Sequence, residues 1–264
     1  MWRRETWPKP NFVAEDRPHV LFILAPPYTG STAIATLLNS STRTMLLHEQ
    51  GEGQWLIPGL CAEDRWNPKM GVDDASVEAV WLRRYQDEKT SNPDVEVVIE
   101  KSPPNMMRID TLAALFPRSS FLAYNRDPVA TCASHFHHHH AAKRDREERL
   151  AAIDAVVQKW VDRSTRIREL VEARDIPMIS YEAFCEEPAL LRGMLQLTDD
   201  VIASINFCAK VSVKGSVPKP IENQNGQRVS DLTVDELAHL HRRLAGSRPL
   251  LQFFGYDVPA SGEA

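Results

Sequence analysis

The feature that most constrains this chain is the run LFILAPPYTGSTAIATLL, residues 21–38, in which an apolar strand breaks at two prolines, turns through a glycine flanked by hydroxyls, and becomes a helix. Short β-like runs alternate with helical patterns along the rest of the sequence. The runs are His19 to Leu24, Thr44 to Leu47, Val95 to Ile99, Phe121 to Tyr124 and Ile176 to Ser180. That alternation predicts an α/β fold, a central parallel sheet between layers of helices. Between the last two runs, Ile153, Val157, Trp160, Ile167 and Leu170 fall on one helical face. A second helix starts at Thr233, where Thr-Val-Asp-Glu forms a capping box ahead of Leu237, Leu240 and Leu244. The stretch from Val211 to Ser230 has no periodicity and reads as a long loop. No linker separates two apolar patterns, so the expectation is one domain over residues 1–264 with flexible ends, about 1–17 and 258–264.

Charge and composition narrow the function. A net charge of -5 gives no support for nucleic-acid binding, which needs a basic surface to displace phosphate counterions. The longest apolar run, Val20 to Leu24, is far shorter than a membrane span, and the first residues contain no run of signal-peptide length. The four cysteines, Cys61, Cys132, Cys185 and Cys208, have no paired spacing and read as buried free thiols, consistent with the cytoplasm.

Against the phosphate-loop template G-x-x-x-x-G-K-[ST], the opening segment has Ala25 at the first glycine, Gly30 at the second, Ser31 at the lysine, and Thr32 at the last position. Anion binding survives that loss. Backbone N–H groups at the turn and helix start, with the hydroxyls of Thr29, Ser31 and Thr32, can converge on one oxyanion. The charge that a kinase sets against its transferring phosphate does not survive. A second segment, VVIEKSPPNMMRIDTLAALFPRSSFLAYNRDPVATCASHF, ends one strand at Glu100-Lys101 and another at Asn125-Arg126. Carboxyl ends of parallel strands are where open α/β sheets bind ligands. Asp127-Pro128 then opens a helix, Arg126 has the fork for a phosphate, and Ser134, eight positions on, offers a hydroxyl.

These two segments resemble the cofactor-binding elements of the sulfotransferase family, with weaker similarity in ISYEAFCEEP and FFGYD, over about His19 to Asp257. The resemblance implies a three-layer α/β/α fold like that of phosphate-loop NTPases and no metal. It implies 3′-phosphoadenosine 5′-phosphosulfate as the sulfonate donor, released as adenosine 3′,5′-bisphosphate, and a small-molecule or carbohydrate hydroxyl as acceptor. By the same resemblance Tyr28, Thr29, Gly30, Ser31 and Thr32 form the 5′-phosphosulfate loop, Arg126 and Ser134 take the 3′-phosphate, and Tyr181 lies near the adenine. Ser212, Lys214, Lys219 or Arg228, in the long loop, would close over the donor, with Ser212 and Lys214 foremost.

The family usually carries Lys or Arg immediately before the glycine turn, and this chain has Tyr28. Lys101 is the expected substitute, because the protein-tyrosine branch has a lysine at the matching place. The aryl and steroid branch follows that lysine, two positions on, with a histidine base; here that position is Pro103. The base is therefore expected from Glu49 in MLLHEQGEG, which matches the glutamate of the other branch, with His48 and Glu52 as rivals. The run FHHHHAAKRDREERL places His135 with His139, and His137 with His140, at one-turn spacing. A metal would need a third ligand, and a polar helix end near the site is the preferred reading. Two alternatives stay open: a kinase with a phosphate loop, and a noncatalytic binder of adenosine 3′,5′-bisphosphate.

Overall fold

The computed structural model describes residues 17–61, 65–67, 73–143, 145–213 and 215–257. The expected flexible ends lie outside these residues, apart from residue 17, and so does Lys214.

Five strands, β1 (His19–Leu24), β2 (Thr44–Leu46), β3 (Val97–Glu100), β4 (Ser119–Asn125) and β5 (Met178–Ser180), make one sheet in the order β2-β3-β1-β4-β5. Each expected run overlaps one of them. The strand-end placements differ by a few residues: the third strand starts at Val97, not Val95, and the fourth extends from Ser119 to Asn125. Helices α1 (Ser31–Leu38), α2 (Asp74–Ser91), α3 (Ile109–Leu115), α4 (Pro128–His140) and α5 (Arg146–Arg174) fall between strands or, for α5, lead into β5. They are followed by α6 (Tyr181–Glu186), α7 (Asp199–Ser204), α8 (Asn225–Val229), α9 (Val234–Ala245) and α10 (Arg248–Phe253). In β1 every residue from Val20 to Leu24 is buried, and all four residues of β3 are buried. Strands without a polar face need apolar cover on both sides, which is the α/β arrangement expected.

The chain divides into two compact units, one of Met1–Leu24, Thr32–Leu122 and Leu195–Pro220, the other of Ala25–Ser31, Ala123–Met194 and Ile221–Ala264. In the first, β1 and β2 flank β3 in parallel register, with Phe22 opposite Glu100 and Leu46 opposite Ile99. Phe22 stacks on Phe121 at 5.3 Å, and Trp81 stacks on Phe116 at 5.4 Å, filling the core beside α2 and α3. In the second, β4 and β5 run parallel with Asn125 opposite Ser180. The predicted apolar face of α5 is buried at Ile153, Val157, Trp160, Ile167 and Leu170. The capping box at Thr233 forms with Glu236, although Leu237 is only half-buried while Leu240 and Leu244 are buried.

Two expectations are corrected. The stretch Val211 to Ser230 is not structureless: Val211 and Lys219 pair as an antiparallel bridge, and Asn225–Val229 is helical. All four cysteines are free, but only Cys132 is buried; Cys61 and Cys208 are exposed and Cys185 is intermediate. No helix of the described residues is long and apolar enough to cross a membrane.

Candidate active site

Chain register brings Arg126 and Tyr181 together. Asn125 and Ser180 are parallel partners, so the residues that leave β4 and β5 start side by side, and the Arg126 guanidinium lies over the Tyr181 ring at 4.3 Å. A stacked, planar cation is a geometry that arginine holds and lysine does not. Its Nε donates to Asn225 Oδ1 at 2.8 Å and one terminal nitrogen donates to the Tyr28 carbonyl at 3.3 Å. Arg126 is only 6% exposed, yet among the described residues no carboxylate is in ion-pair contact with it. Its neighbour Asp127 accepts the Ala130 N–H at 2.7 Å as the cap of α4, and meets the Arg126 charge only through space. A buried guanidinium whose direct hydrogen-bond partners are neutral can take an anion as a further partner.

The same elements fix the turn. Gly30 has φ +85°, and a Cβ there would stand 2.8 Å from Tyr181 Cε2, so only glycine lets the turn lie against the ring. Thr29 is fully buried and its hydroxyl donates to the Pro26 carbonyl at 2.7 Å, bracing the turn from inside. Ser31 is buried and Thr32 half-buried at the start of α1, whose first N–H groups have no intrahelical acceptors. The Tyr124 hydroxyl is buried and has no hydrogen-bond partner among the described residues. It stands 3.9 Å from where a Gly30 Cβ would be. Burial raises its pKa well above the ordinary value, so it faces the turn as a neutral donor. Tyr181 itself is anchored, its hydroxyl donating to the Glu222 carbonyl at 3.1 Å and accepting the Gln224 N–H at 2.9 Å. Ser134 lies half-buried on α4.

Tyr28 adopts φ +69°, a left-handed conformation that a bulky side chain rarely takes. Its ring stacks on His135 at 4.5 Å with an interplanar angle of 21°, and its hydroxyl is hydrogen-bonded to His139 Nε2. His135 is buried, and burial, with Arg163, Lys159, His139 and His140 adding, lowers its pKa to about 3.

In the other unit, Lys101 follows the last residue of β3 and is 3% exposed. Its ammonium pairs with Glu52, and its backbone N–H donates to the Gly51 carbonyl at 2.7 Å. Glu52 gathers two more donors on its second oxygen, Gln54 Nε2 at 2.7 Å and the Trp55 indole N–H at 3.0 Å. Glu49, the expected base, is exposed. The loop that carries Glu52 is pinned from below by Glu100. That carboxylate is fully buried and accepts the Gly53 N–H at 2.7 Å, the Ser102 N–H at 2.8 Å and Asn105 Nδ2 at 3.0 Å. Burial raises the Glu100 pKa to about 7, against the opposing pull of these hydrogen bonds. Ser212 donates its hydroxyl to the Ser216 carbonyl at 2.5 Å, within the turn closed by the Val211–Lys219 bridge.

Sequence reasoning did not single out Glu100, Asn225 or the Tyr28–His139 contact. Glu100 was visible as the one charged residue ending an all-apolar strand. Asn225 had no signal of its own, since it meets Arg126 across 99 positions. Among the described residues no group of three or more His, Cys, Asp or Glu is placed to hold a metal ion.

The sequence profile described as the sulfotransferase family matches residues 18–192, about two thirds of the chain. Solved structures of similar fold include the sulfotransferase domain from the Synechococcus PCC 7002 olefin synthase, with TM-score 0.55, 17% identity, and coverage of 97% of this chain and 100% of that one. Sulfotransferase STF9 from Mycobacterium avium superposes with TM-score 0.54 at 15% identity, over 91% of this chain and 78% of that chain. A sulfotransferase from Alicyclobacillus acidocaldarius gives 0.53 at 14% identity, over 94% and 99%. At such identities the likeness is one of fold. A search of curated protein sequences finds no match. With the profile spanning the glycine turn, Lys101, Arg126 and Tyr181, the chain belongs to the sulfotransferase family.

Proposed function

We propose that the protein transfers a sulfonate group from 3′-phosphoadenosine 5′-phosphosulfate to a hydroxyl of a small-molecule or carbohydrate acceptor. The observation that carries the choice of donor is the buried, stacked Arg126, which has neutral partners and adjoins the Tyr28–Ser31 turn. That constellation offers two anion-binding elements, a guanidinium and a helix start, joined through the Tyr181 ring. Tyr28, Thr29, Gly30, Ser31 and Thr32 would take the 5′-phosphosulfate. Arg126 would take the 3′-phosphate, with Ser134 beside it on α4, and Tyr181 would lie near the adenine. Ser212 and Lys214 are carried over as candidate donor contacts by resemblance alone.

Lys101 would counter the charge that builds on the leaving phosphate, and a glutamate of the Glu49–Glu52 loop would accept the proton of the attacking hydroxyl. Glu52 is favoured for that role over Glu49, because Lys101, Gln54 and Trp55 hold its carboxylate in one orientation. The reaction as written needs no divalent cation.

Titration with adenosine 3′,5′-bisphosphate and with 5′-AMP tests the donor. Wild type should prefer the bisphosphate, and Arg126→Ala should lose about ten- to a hundredfold of that affinity while 5′-AMP binding changes little. Equal affinity for the two nucleotides would refute the assignment. A protein that instead requires Mg²⁺ and ATP for turnover would be a kinase.

A further inference from the structure

Tyr28 stands where a basic residue usually precedes the glycine turn in the family, and the structure shows what surrounds it. Its backbone is held left-handed, a conformation that costs a residue with a side chain steric strain and persists where neighbouring contacts hold it. Arg126 holds its carbonyl, and α4 holds its side chain. His135 and His139, four positions apart, share one helix face, and Tyr28 covers both: the ring stacks on the first and the hydroxyl meets the second. Of the remaining histidines of the run, His138 also touches Tyr28, and the other two pack on different partners. His137 turns to Arg228 and Asp231, at 3.0 Å and 3.5 Å. His138 stands tilted against Tyr28 at 5.5 Å, and His140 against Phe136 at 6.0 Å.

The Tyr28–His139 hydrogen bond has two possible polarities. While the imidazole is neutral with Nε2 bare, the phenol hydrogen is spent on it. Once the imidazole is protonated, Nε2–H donates to the phenol oxygen, and the phenol hydrogen is released to another acceptor. His135, neutral in its stack, cannot take over that part. We propose that Tyr28 and His139 act as one unit at the glycine turn: protonated His139 donates to Tyr28, and the freed Tyr28 hydroxyl donates to the 5′-phosphate group of the donor, replacing the missing lysine or arginine.

This rests on the function proposed above. In the transfer, the sulfur–oxygen bond to the 5′-phosphate breaks and its electron pair stays on that phosphate oxygen. The acceptor oxygen forms the new bond to sulfur and its proton passes to the glutamate base. Tyr28 and His139 keep their protons throughout; their part is to meet the charge of the leaving phosphate. Anion binding is thereby coupled to proton uptake at His139. The charged and titratable groups that bear on the histidines of that end of α4 include Tyr28 from the turn, Lys143 beyond the helix, Lys159 and Arg163 from α5, and Arg228 and Asp231 at His137.

Calorimetry of adenosine 3′,5′-bisphosphate binding, in two buffers of different ionisation heat, reads the proton directly. Wild type should take up a proton fraction on binding, and affinity should weaken as pH rises, by up to about tenfold per pH unit once the imidazole is neutral in the free protein. Adenosine 3′-monophosphate, which has no 5′-phosphate, should bind with less uptake. Tyr28→Phe keeps the stack on His135 and loses only the hydroxyl. It and His139→Gln should each weaken binding by about tenfold and remove the extra uptake, and the double variant should be no weaker than either single one. Tyr28→Lys combined with His139→Gln should restore affinity without uptake. Thermal unfolding of each variant identifies any that fails to fold. Undiminished uptake in His139→Gln, or wild-type affinity in a folded Tyr28→Phe, would overturn the pairing while leaving the sulfotransferase assignment intact. A wild type with no preference for the bisphosphate overturns both.

Discussion

The buried carboxylate of Glu100 accepts the backbone N–H of Gly53 at 2.7 Å, across 47 positions of sequence, and thereby ties the end of β3 to the loop that presents Glu52 to Lys101. A Gly53 Cβ would stand 2.8 Å from that same oxygen, so the contact requires glycine on one side and a short acceptor on the other. The pKa of Glu100, raised from 4.5 to about 7 by burial, makes this joint sensitive to pH. An acid whose folded pKa lies above its unfolded one binds more protons when folded, so its contribution is fully present below the unfolded value and is lost as pH rises through the folded value. Thermal unfolding should therefore show stability falling from pH 5 to pH 8, by up to about 3 kcal/mol from this group. Glu100→Gln should flatten that slope. It should also cost about 1–3 kcal/mol at low pH, because an amide NH2 would face one of the three N–H donors.

Glu52 and Glu49 separate by kinetics. Glu52→Gln keeps the shape but removes the proton acceptor and turns an NH2 group toward one of the donors that the carboxylate met, so single-turnover sulfonate transfer should fall by about 10²- to 10⁴-fold with little change in bisphosphate affinity. Glu49→Gln, at an exposed position, should retain most of the rate. Lys101→Met should lower the rate as well, and should also release Glu52 from its ion pair. The opposite ranking, with Glu49→Gln inactive and Glu52→Gln competent, would return the base to Glu49. An inactive His48→Ala beside two active glutamate variants would move it to the histidine.

How far the sequence revealed this depends on how local each feature is. The strand-turn-helix at residues 19–38 and the α5 stripe are written in periodicity and in Pro and Gly placement, and both could be read directly. Helix α8 could not: its five residues, Asn-Gly-Gln-Arg-Val, include none that is buried, so they leave no apolar period. The cysteines were misjudged because spacing carries no information about which face of an element meets solvent. The site contacts that went unseen are long-range. Tyr28 meets His139 across 111 positions, and Lys101 meets Glu52 across 49, at a place where the sequence favours Glu49 over His48 and Glu52. The long-range contacts set Glu52 apart from its neighbours: Lys101 pairs with it, and Glu100 pins Gly53 beside it.

Arg126→Lys probes whether shape or charge holds the 3′-phosphate. Lysine keeps the charge but cannot at once lie flat on Tyr181, donate to Asn225 and reach the Tyr28 carbonyl. Bisphosphate affinity should drop about tenfold, nearer to the alanine variant than to wild type. Calorimetric dissociation constants for the three proteins decide it. A lysine variant that binds like wild type would reduce Arg126 to a point charge.

Gly30→Ala tests the contact between the turn and Tyr181, and two costs are superimposed there. The new Cβ would stand 2.8 Å from Tyr181 Cε2 and 3.0 Å from Cδ2, atoms of a ring buried to 5% exposure and tied by its hydroxyl to Glu222 and Gln224. The backbone φ of +85° also disfavours any side chain, independently of space. Chemical denaturation should show a loss of about 1–3 kcal/mol from strain and overpacking together. Bisphosphate affinity should fall more than stability alone explains, because a displaced Tyr181 moves the surface on which Arg126 lies. A double-mutant cycle with Tyr181→Ala separates the two costs. Removing the ring relieves the collision and leaves the φ penalty, so Gly30→Ala should cost less in the Tyr181→Ala background than in wild type, but not zero. Full additivity of the two substitutions would show that ring and turn are not in contact, and the close packing of Gly30 on Tyr181 would then be wrong.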